Sequence, residues 1–284
     1  MIRLISRCQL SLKLLMNPQL YQGAAEYYAR HRTKYPSSLF EKLDQLFKLN
    51  GRGRLLDLGC GPGIIAIPMS DRFEEVVAID PDPEMVKVCQ QEAQSCGIHN
   101  ILSLQKKAED IDTTWGQFKL ATIGRAFHWM DREAVLQRSY DRLSTDGGIA
   151  IISTDEDPWR SDLPLEKATI KVVKKWLGES RKTGTQGLPD IPHEDLVERS
   201  SFPDYAVYKL KFEQLWTIPN YIGYLYSTAF CLQSFLQNNI ENFERELTET
   251  LLKIEPSGQF NQTITISLIV AGKTHGMFDS SRST

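Results

Sequence analysis

A chain of 284 residues, 41% apolar and 24% charged, is long enough to bury a substantial core without disulfides or metals. Its 33 basic and 36 acidic residues leave a formal charge of -3, which excludes a strongly basic nucleic-acid-binding body and an acidic tail. No apolar run approaches the ~18 residues of a membrane-spanning helix, so neither a nucleic-acid nor a membrane partner is expected.

Residues 1–15 carry Arg3, Arg7 and Lys13 and no acid. They read as an extension ahead of Met16, either disordered or a short amphipathic targeting segment. The segment 37–49 reads as a helix, with Ser38 and Glu41 at capping-box spacing and Leu39, Phe40, Leu43, Leu46 and Phe47 on one face. Arg54 to Leu58 is an apolar run too short for a helix, and it stops at Gly59-Cys60-Gly61-Pro62-Gly63. A helix is expected from Ile64 to Arg72, with Pro68 in an early turn or at a kink.

Glu75 to Asp80 reads as a second strand. Asp82-Pro83 then opens a helix that closes near Gly97. Ile101–Gln105 and Phe118–Ile123 are further short strands. Asp131 caps a helix expected to end at Asp146-Gly147-Gly148, ahead of a strand at Ile149–Ser153. Such alternation on continuous apolar runs predicts a parallel sheet covered on both faces. Beyond it, 155–200 reads as polar helix and loop, 205–213 as a strand, 220–252 as helical and 263–272 as a last strand. Residues 1–16 are thus taken as an extension and 276–284 as a frayed tail. Between them lies one domain, 17–275, with a core at 50–153 and variable cap segments at 17–49 and 154–262.

Cys8, Cys60, Cys89, Cys96 and Cys231 form no C-x-x-C pair and no zinc-ligand spacing. A scattered, odd set implies reduced thiols, a cytoplasmic location and no metal site. Cys60 reads as a small buried filler, with a redox role as the alternative.

The turn Asp57-Leu58-Gly59-Cys60-Gly61-Pro62-Gly63 is the strongest signal. Its glycines permit a sharp strand-to-helix turn and close approach of a ligand to the backbone. Asp80, at the next strand end, is placed to accept both hydroxyls of a ribose. Gly61-x-Gly63-x-x-Ala66 also fits a dinucleotide fingerprint, with Asp80 about 20 residues on, so an NAD(P)-dependent oxidoreductase passes the spacing test. Three features count against a pyrophosphate: Pro62 removes an N–H from the turn, Asp57 aims a carboxylate at the crevice, and Ala108-Glu109-Asp110 adds acids where an adenine edge would lie. A sulfonium cation carrying a ribose and an adenine answers all three, and that ligand is S-adenosylmethionine.

At these residues the chain resembles the class I S-adenosylmethionine-dependent methyltransferases. LLDLGCGPG at 55–63 is similar to the family's glycine-rich motif, VVAID at 76–80 to its second-strand acid, and AED at 108–110 to its adenine-side acid. AFHWMD at 126–131 and DGGIAIIS at 146–153 are similar to the fourth- and fifth-strand region. YYARHRTKYPSSLF at 27–40 resembles the lead-in of the small-molecule branch that includes trans-aconitate methyltransferase-like proteins. The likeness covers about 20–153 and fades over 155–284. It implies an α/β, Rossmann-like, doubly wound sheet of seven strands with the last antiparallel, plus helical cap segments.

The resemblance also implies roles. Cofactor contacts would come from Asp57, Gly59, Cys60, Gly61, Asp80, Pro81, Ala108, Glu109, Asp110 and Arg125. Among these, Asp57 would hold the cofactor's amino group, Asp80 the ribose, and Glu109 or Asp110 with the Ala108 backbone the adenine. Arg125 stands where many relatives carry a small residue or a glutamine, and puts a cation near the cofactor's amino-acid end or the substrate. S-adenosylhomocysteine would be the product.

A hydroxyl or protonated amine acceptor needs a general base, whereas a carboxylate needs cations or donors to hold it. His128, just past the fourth strand, is the candidate catalytic residue, as base or as substrate donor; the alternative is a structural histidine beside Trp129. Tyr28, Arg32 and Trp129 are candidate substrate contacts, with Arg32 and Arg125 able to pair with an acidic acceptor. Trp216, Tyr221, Tyr224, Tyr226 and Phe230 recur at helical spacing and read as core before substrate cage. The expected partner is a small-molecule methyl acceptor. A cofactor-binding module without transfer is the non-enzymatic alternative.

Overall fold

The computed structural model describes residues 23–181 and 191–278. The predicted extension 1–16, most of the loop before residue 191 and the end of the tail lie outside the described residues. Seven strands form one sheet in the order β3-β2-β1-β4-β5-β7-β6. They are β1 (Arg54–Leu58), β2 (Glu75–Asp80), β3 (Ile101–Gln105), β4 (Phe118–Gly124), β5 (Leu143–Thr154), β6 (Asp204–Thr217) and β7 (Gln259–Gly272). β1 to β5 pair in parallel, and β7 runs antiparallel between β5 and β6.

Neighbouring residues on each central strand feed opposite layers. Leu55, Val76, Leu120 and Ile152 pack as one core with Leu39, Leu43, Phe47, Ala66, Met69 and Cys89. Leu56, Val77, Ala121 and Ile151 pack on the other face with Val135, Leu136 and Val197. Burial on both faces explains why these strands are apolar without alternation. The helices are α1 (Ala25–His31), α2 (Ser37–Phe47), α3 (Ala66–Met69), α4 (Pro83–Ser95), α5 (Arg132–Arg142), α6 (Pro164–Leu177), α7 (His193–Glu198), α8 (Ile218–Tyr226) and α9 (Ile240–Leu252).

Some boundaries differ from the sequence reading. α2 starts at Ser37 after an extended Pro36 and has no side-chain cap, so Ser38 lies inside the first turn. The helix expected over Ile64–Arg72 is only Ala66–Met69, tightening to a 3-10 turn at Ser70–Arg72. The helix capped by Asp131 ends at Arg142, four residues early. Gly147 and Gly148 instead lie inside β5, beside the carbonyls of Phe118, Lys119 and Ala271, where a Cβ would clash. These glycines serve close strand approach, not a helix C-cap. The helical reading of 220–252 splits in two. Ser227 and Thr228 hydroxyls donate back to Tyr224 and Leu225 carbonyls and end α8.

α6, α8 and α9 form a separate apolar cluster with Trp216, Tyr221, Tyr226 and Phe230 at its centre. It is tied to the amino-terminal segment where the His31 ring lies against Gly223, leaving no room for a Cβ there. Among the described residues, no helix is long and apolar enough to cross a membrane.

Candidate active site

The strand order reverses between β1 and β4, and the crevice outside their carboxyl ends is where open α/β sheets bind ligands. The turn after β1 lies there. Gly59, Gly61 and Gly63 all have positive φ, at +65°, +54° and +89°. Gly59 is packed tightly, since a Cβ would sit 2.7 Å from Ala126 Cβ. At Gly61 the nearest atom to such a Cβ is Tyr28 Cε1, 3.9 Å away. The backbone is therefore open at Gly61 and buttressed at Gly59.

Two carboxylates flank the turn. Asp80, at the end of β2, accepts from the Gly61 N–H at 3.0 Å and the Asp82 N–H at 2.9 Å. Burial pushes its carboxyl up to about 6. Asp57 is fully enclosed; its oxygens accept from Ala66 N–H (3.1 Å) and the Thr122 hydroxyl (2.8 Å). Burial, partly offset by those bonds, pushes it up to about 7. Pro81 follows Asp80 as the chain turns into α4. Cys60 is buried in the turn, as expected of a filler, and its thiol donates to the Gly61 carbonyl at 3.4 Å.

Ala108, Glu109 and Asp110 form a short 3-10 turn after β3. Ala108 is buried, and Glu109 accepts the Asp131 N–H at 2.7 Å. Asp110 is exposed. This turn borders the same crevice beyond β2, so the acids read from sequence share one sheet end.

The side of the crevice that carries Arg125 is richer than the sequence reading. Arg125 has φ +55°, a strained conformation for a non-glycine residue. Its guanidinium is 5% exposed and donates to Glu156 Oε2 at 3.2 Å and to the Thr33 carbonyl at 3.0 Å. Glu156 Oε1 accepts the Thr33 hydroxyl, and the Glu156 carbonyl accepts Tyr224 OH at 3.3 Å. Arg32 sits between the Tyr28 and Tyr224 rings, 5.4 and 5.2 Å from their centroids, and its buried Nε has no hydrogen-bond partner. Sequence reading missed Thr33, Glu156 and Tyr224 as site residues. Asp155-Glu156-Asp157 gave no motif, and Tyr224 was one aromatic among five that otherwise are core.

His128 lies in a 3-10 turn with its ring 4.9 Å from Trp129. Burial, then the nearby His193, Arg181, Arg32 and Arg132, push it down to about 3. A neutral imidazole this weakly basic can donate a hydrogen bond or wall the pocket, but it is a poor general base. A cleft of about 700 Å³ opens at the opposite sheet end, lined by Arg54, Phe118, Lys119 and Asp146, and none of the predicted site residues reaches it.

The fold and the glycine turn are those of class I S-adenosylmethionine-dependent methyltransferases. Residues 55–147 match the family model of the methyltransferase domain. An uncharacterized methyltransferase of Schizosaccharomyces pombe is 27% identical over 138 residues, 46% of this chain and 52% of that protein. Trans-aconitate 2-methyltransferase of Rhodococcus jostii is 24% identical over 63% of each chain. The chain spans about half the length of the first curated relatives it matches. Phosphoethanolamine N-methyltransferase 2 of Haemonchus contortus, solved with phosphomonomethylethanolamine and S-adenosylhomocysteine, shares the fold. Its TM-score is 0.54 at 15% identity, over 90% of this chain and 58% of that one.

The residues present fit the cofactor. Gly61 leaves a cradle that a side chain would fill, and Asp80 keeps lone pairs for hydroxyl donors. This predicts a pH dependence. Asp80 holds its proton up to about pH 6 in the free protein, and ribose hydroxyls favour the ionised form. Its raised value means that its contribution to stability is full below about pH 4 and lost as pH rises through about 6. Binding must expel that proton, so S-adenosylhomocysteine affinity should fall about tenfold from pH 7 to pH 5. Asp57 acts in the same sense. Calorimetric affinities that stay flat over this range would remove both carboxylates from the site.

Proposed function

We propose that this protein transfers the methyl group of S-adenosylmethionine to a small-molecule carboxylate. The carrying observation is the crevice itself: an open Gly61 turn bonded to Asp80 and bordered by Tyr28, whose ring also lies against Arg32, an arginine that makes no ion pair among the described residues. When bound, the cofactor supplies a methyl group on a sulfonium, ready for in-line displacement.

The chain's own residues then have distinct tasks. Asp80 accepts the ribose hydroxyls, Gly59, Cys60, Gly61 and Pro81 shape the floor, and Asp57 stands near the amino group. Ala108, Glu109 and Asp110 border the adenine. Arg32 and Tyr28 hold the acceptor, Arg125 supports that side, and His128 with Trp129 walls the pocket. Alignment and exclusion of water supply most of the rate, because the methyl group is already activated. A carboxylate needs no base, which agrees with the weak basicity of His128. A hydroxyl acceptor would need another base. The acceptor in the name of the Rhodococcus relative, trans-aconitate, is itself a carboxylate, and this supports the reading. The cytoplasmic location expected from the thiols belongs to the same proposal.

Calorimetry with S-adenosylhomocysteine and NAD in parallel tests it. S-adenosylhomocysteine should bind and NAD should not; the reverse would make the protein an oxidoreductase. Labelled cofactor offered with a carboxylic acid panel should yield base-labile methyl esters. Tight cofactor binding with no turnover on a broad panel would leave a binding module.

A further inference from the structure

We propose that Glu156 sets the net charge of the acceptor pocket at one positive unit, so that the pocket selects acceptors whose bound end is a monoanion. The inference rests on the methyltransferase reading for what the pocket is for, but not for its electrostatics.

Two guanidiniums, Arg32 and Arg125, and one carboxylate, Glu156, face each other at this sheet end. Glu156 is 1% exposed and both of its oxygens are committed, one to Arg125 and one to the Thr33 hydroxyl. It has no carboxylate oxygen left for a ligand, so it acts through its neighbours. It neutralises Arg125 and, through Thr33, anchors the segment that carries Arg32. Arg32 makes no ion pair among the described residues; it is sandwiched by Tyr28 and Tyr224 with its Nε buried and unbonded.

Two further arginines among the described residues are engaged elsewhere, and neither is among the charges that act on Arg32. Arg181 is met by Asp157 at 3.0 Å. Arg132 is turned to the Ile191 carbonyl and His193. His128 is neutral near pH 7, and burial holds Tyr35 and Tyr224 in their protonated forms. A buried guanidinium with an unfilled donor is costly unless a ligand supplies an acceptor, and a carboxylate fits its planar fork. One carboxylate balances Arg32. A second negative charge on the acceptor finds its nearest cation, Arg125, already answered by Glu156.

Succinamate and succinate test this, since they share a skeleton and differ by one negative charge. Each is titrated calorimetrically into wild-type protein and variants, with and without S-adenosylhomocysteine. Wild type should favour succinamate. Glu156→Gln keeps the shape and an acceptor oxygen but raises the pocket by one charge, and should shift the ratio of affinities toward succinate about tenfold. The double variant Glu156→Gln with Arg125→Gln restores the net charge and should restore the wild-type ratio, which a purely structural role for Glu156 would not produce. A ratio unchanged in folded Glu156→Gln, or wild type that binds neither anion, overturns the proposal. Should Glu156→Gln not fold, Arg32→Gln decides: it must lose most affinity for both anions, and wild-type binding there overturns the proposal equally. Failure of wild type to bind S-adenosylhomocysteine sinks the methyltransferase reading instead, and the anion ratio still decides the charge assignment.

Discussion

Asp80→Ala should weaken S-adenosylhomocysteine binding about a hundredfold while leaving the protein folded. A carboxylate accepting two hydroxyls makes charge-assisted bonds, each of about 1.5–3 kcal/mol, and a hundredfold corresponds to about 2.7 kcal/mol. The variant also frees the Gly61 and Asp82 N–H groups that Asp80 holds, which loosens the turn. Its melting temperature should nonetheless change little. Burial pushes Asp80 up to about 6, so at pH 7 its ionised form costs stability, and removing it offsets the two lost backbone bonds. Asp80→Asn keeps one acceptor oxygen and should lose only about tenfold. Calorimetry paired with thermal melts separates the two effects. Unchanged affinity in a folded Asp80→Ala would take Asp80 out of the site.

The largest effect on stability is expected from Arg125→Leu. Glu156 is 1% exposed and would keep only the Thr33 hydroxyl as a partner, leaving a buried charge without its cation. Breaking a buried pair in this way costs about 3–5 kcal/mol. For a domain of this size that corresponds to a fall in melting temperature of roughly 6–20 °C. Arg125→Leu with Glu156→Leu removes both charges and should recover most of the loss, because the desolvation cost disappears with the pair. Urea titration of the two variants measures the difference. A loss under about 1 kcal/mol in Arg125→Leu would show that solvent reaches Glu156 and that the pair is not truly buried. Arg125 also carries φ +55°, so the wild-type pair persists against backbone strain as well as desolvation.

The cofactor half of the site was legible because its signals are local. Asp57, the glycines and Asp80 lie within one strand-turn-helix-strand unit, and each residue type is forced by the backbone. Gly59 cannot carry a Cβ against Ala126, and Gly61 must stay open. The cluster around Arg32 and Arg125 was only half legible. Arg32, Arg125 and Tyr28 stood out beside the motifs, yet their partner Glu156 lies 31 residues from Arg125 and 123 from Thr33. Nothing in an acid-rich loop distinguishes that one carboxylate. The two glycines within β5 misled for the opposite reason. A glycine pair after a helix signals a C-cap, and only the proximity of β4 and β7 shows that it serves strand packing.

By itself, then, the sequence determined the parallel core, because apolar runs without alternation can be buried only between two layers. It also determined the glycine turn with its acids, because that geometry is dictated over a few residues. The tertiary structure decided where β7 inserts, how the aromatic helices close into a cap, and that Tyr224 alone of five aromatics reaches Arg32. It also decided the charge balance around Arg32 and Arg125. That quantity depends on which carboxylate lies within a few ångströms of which guanidinium, and burial makes the difference worth several kcal/mol. Such distances are set by chain segments far apart in sequence.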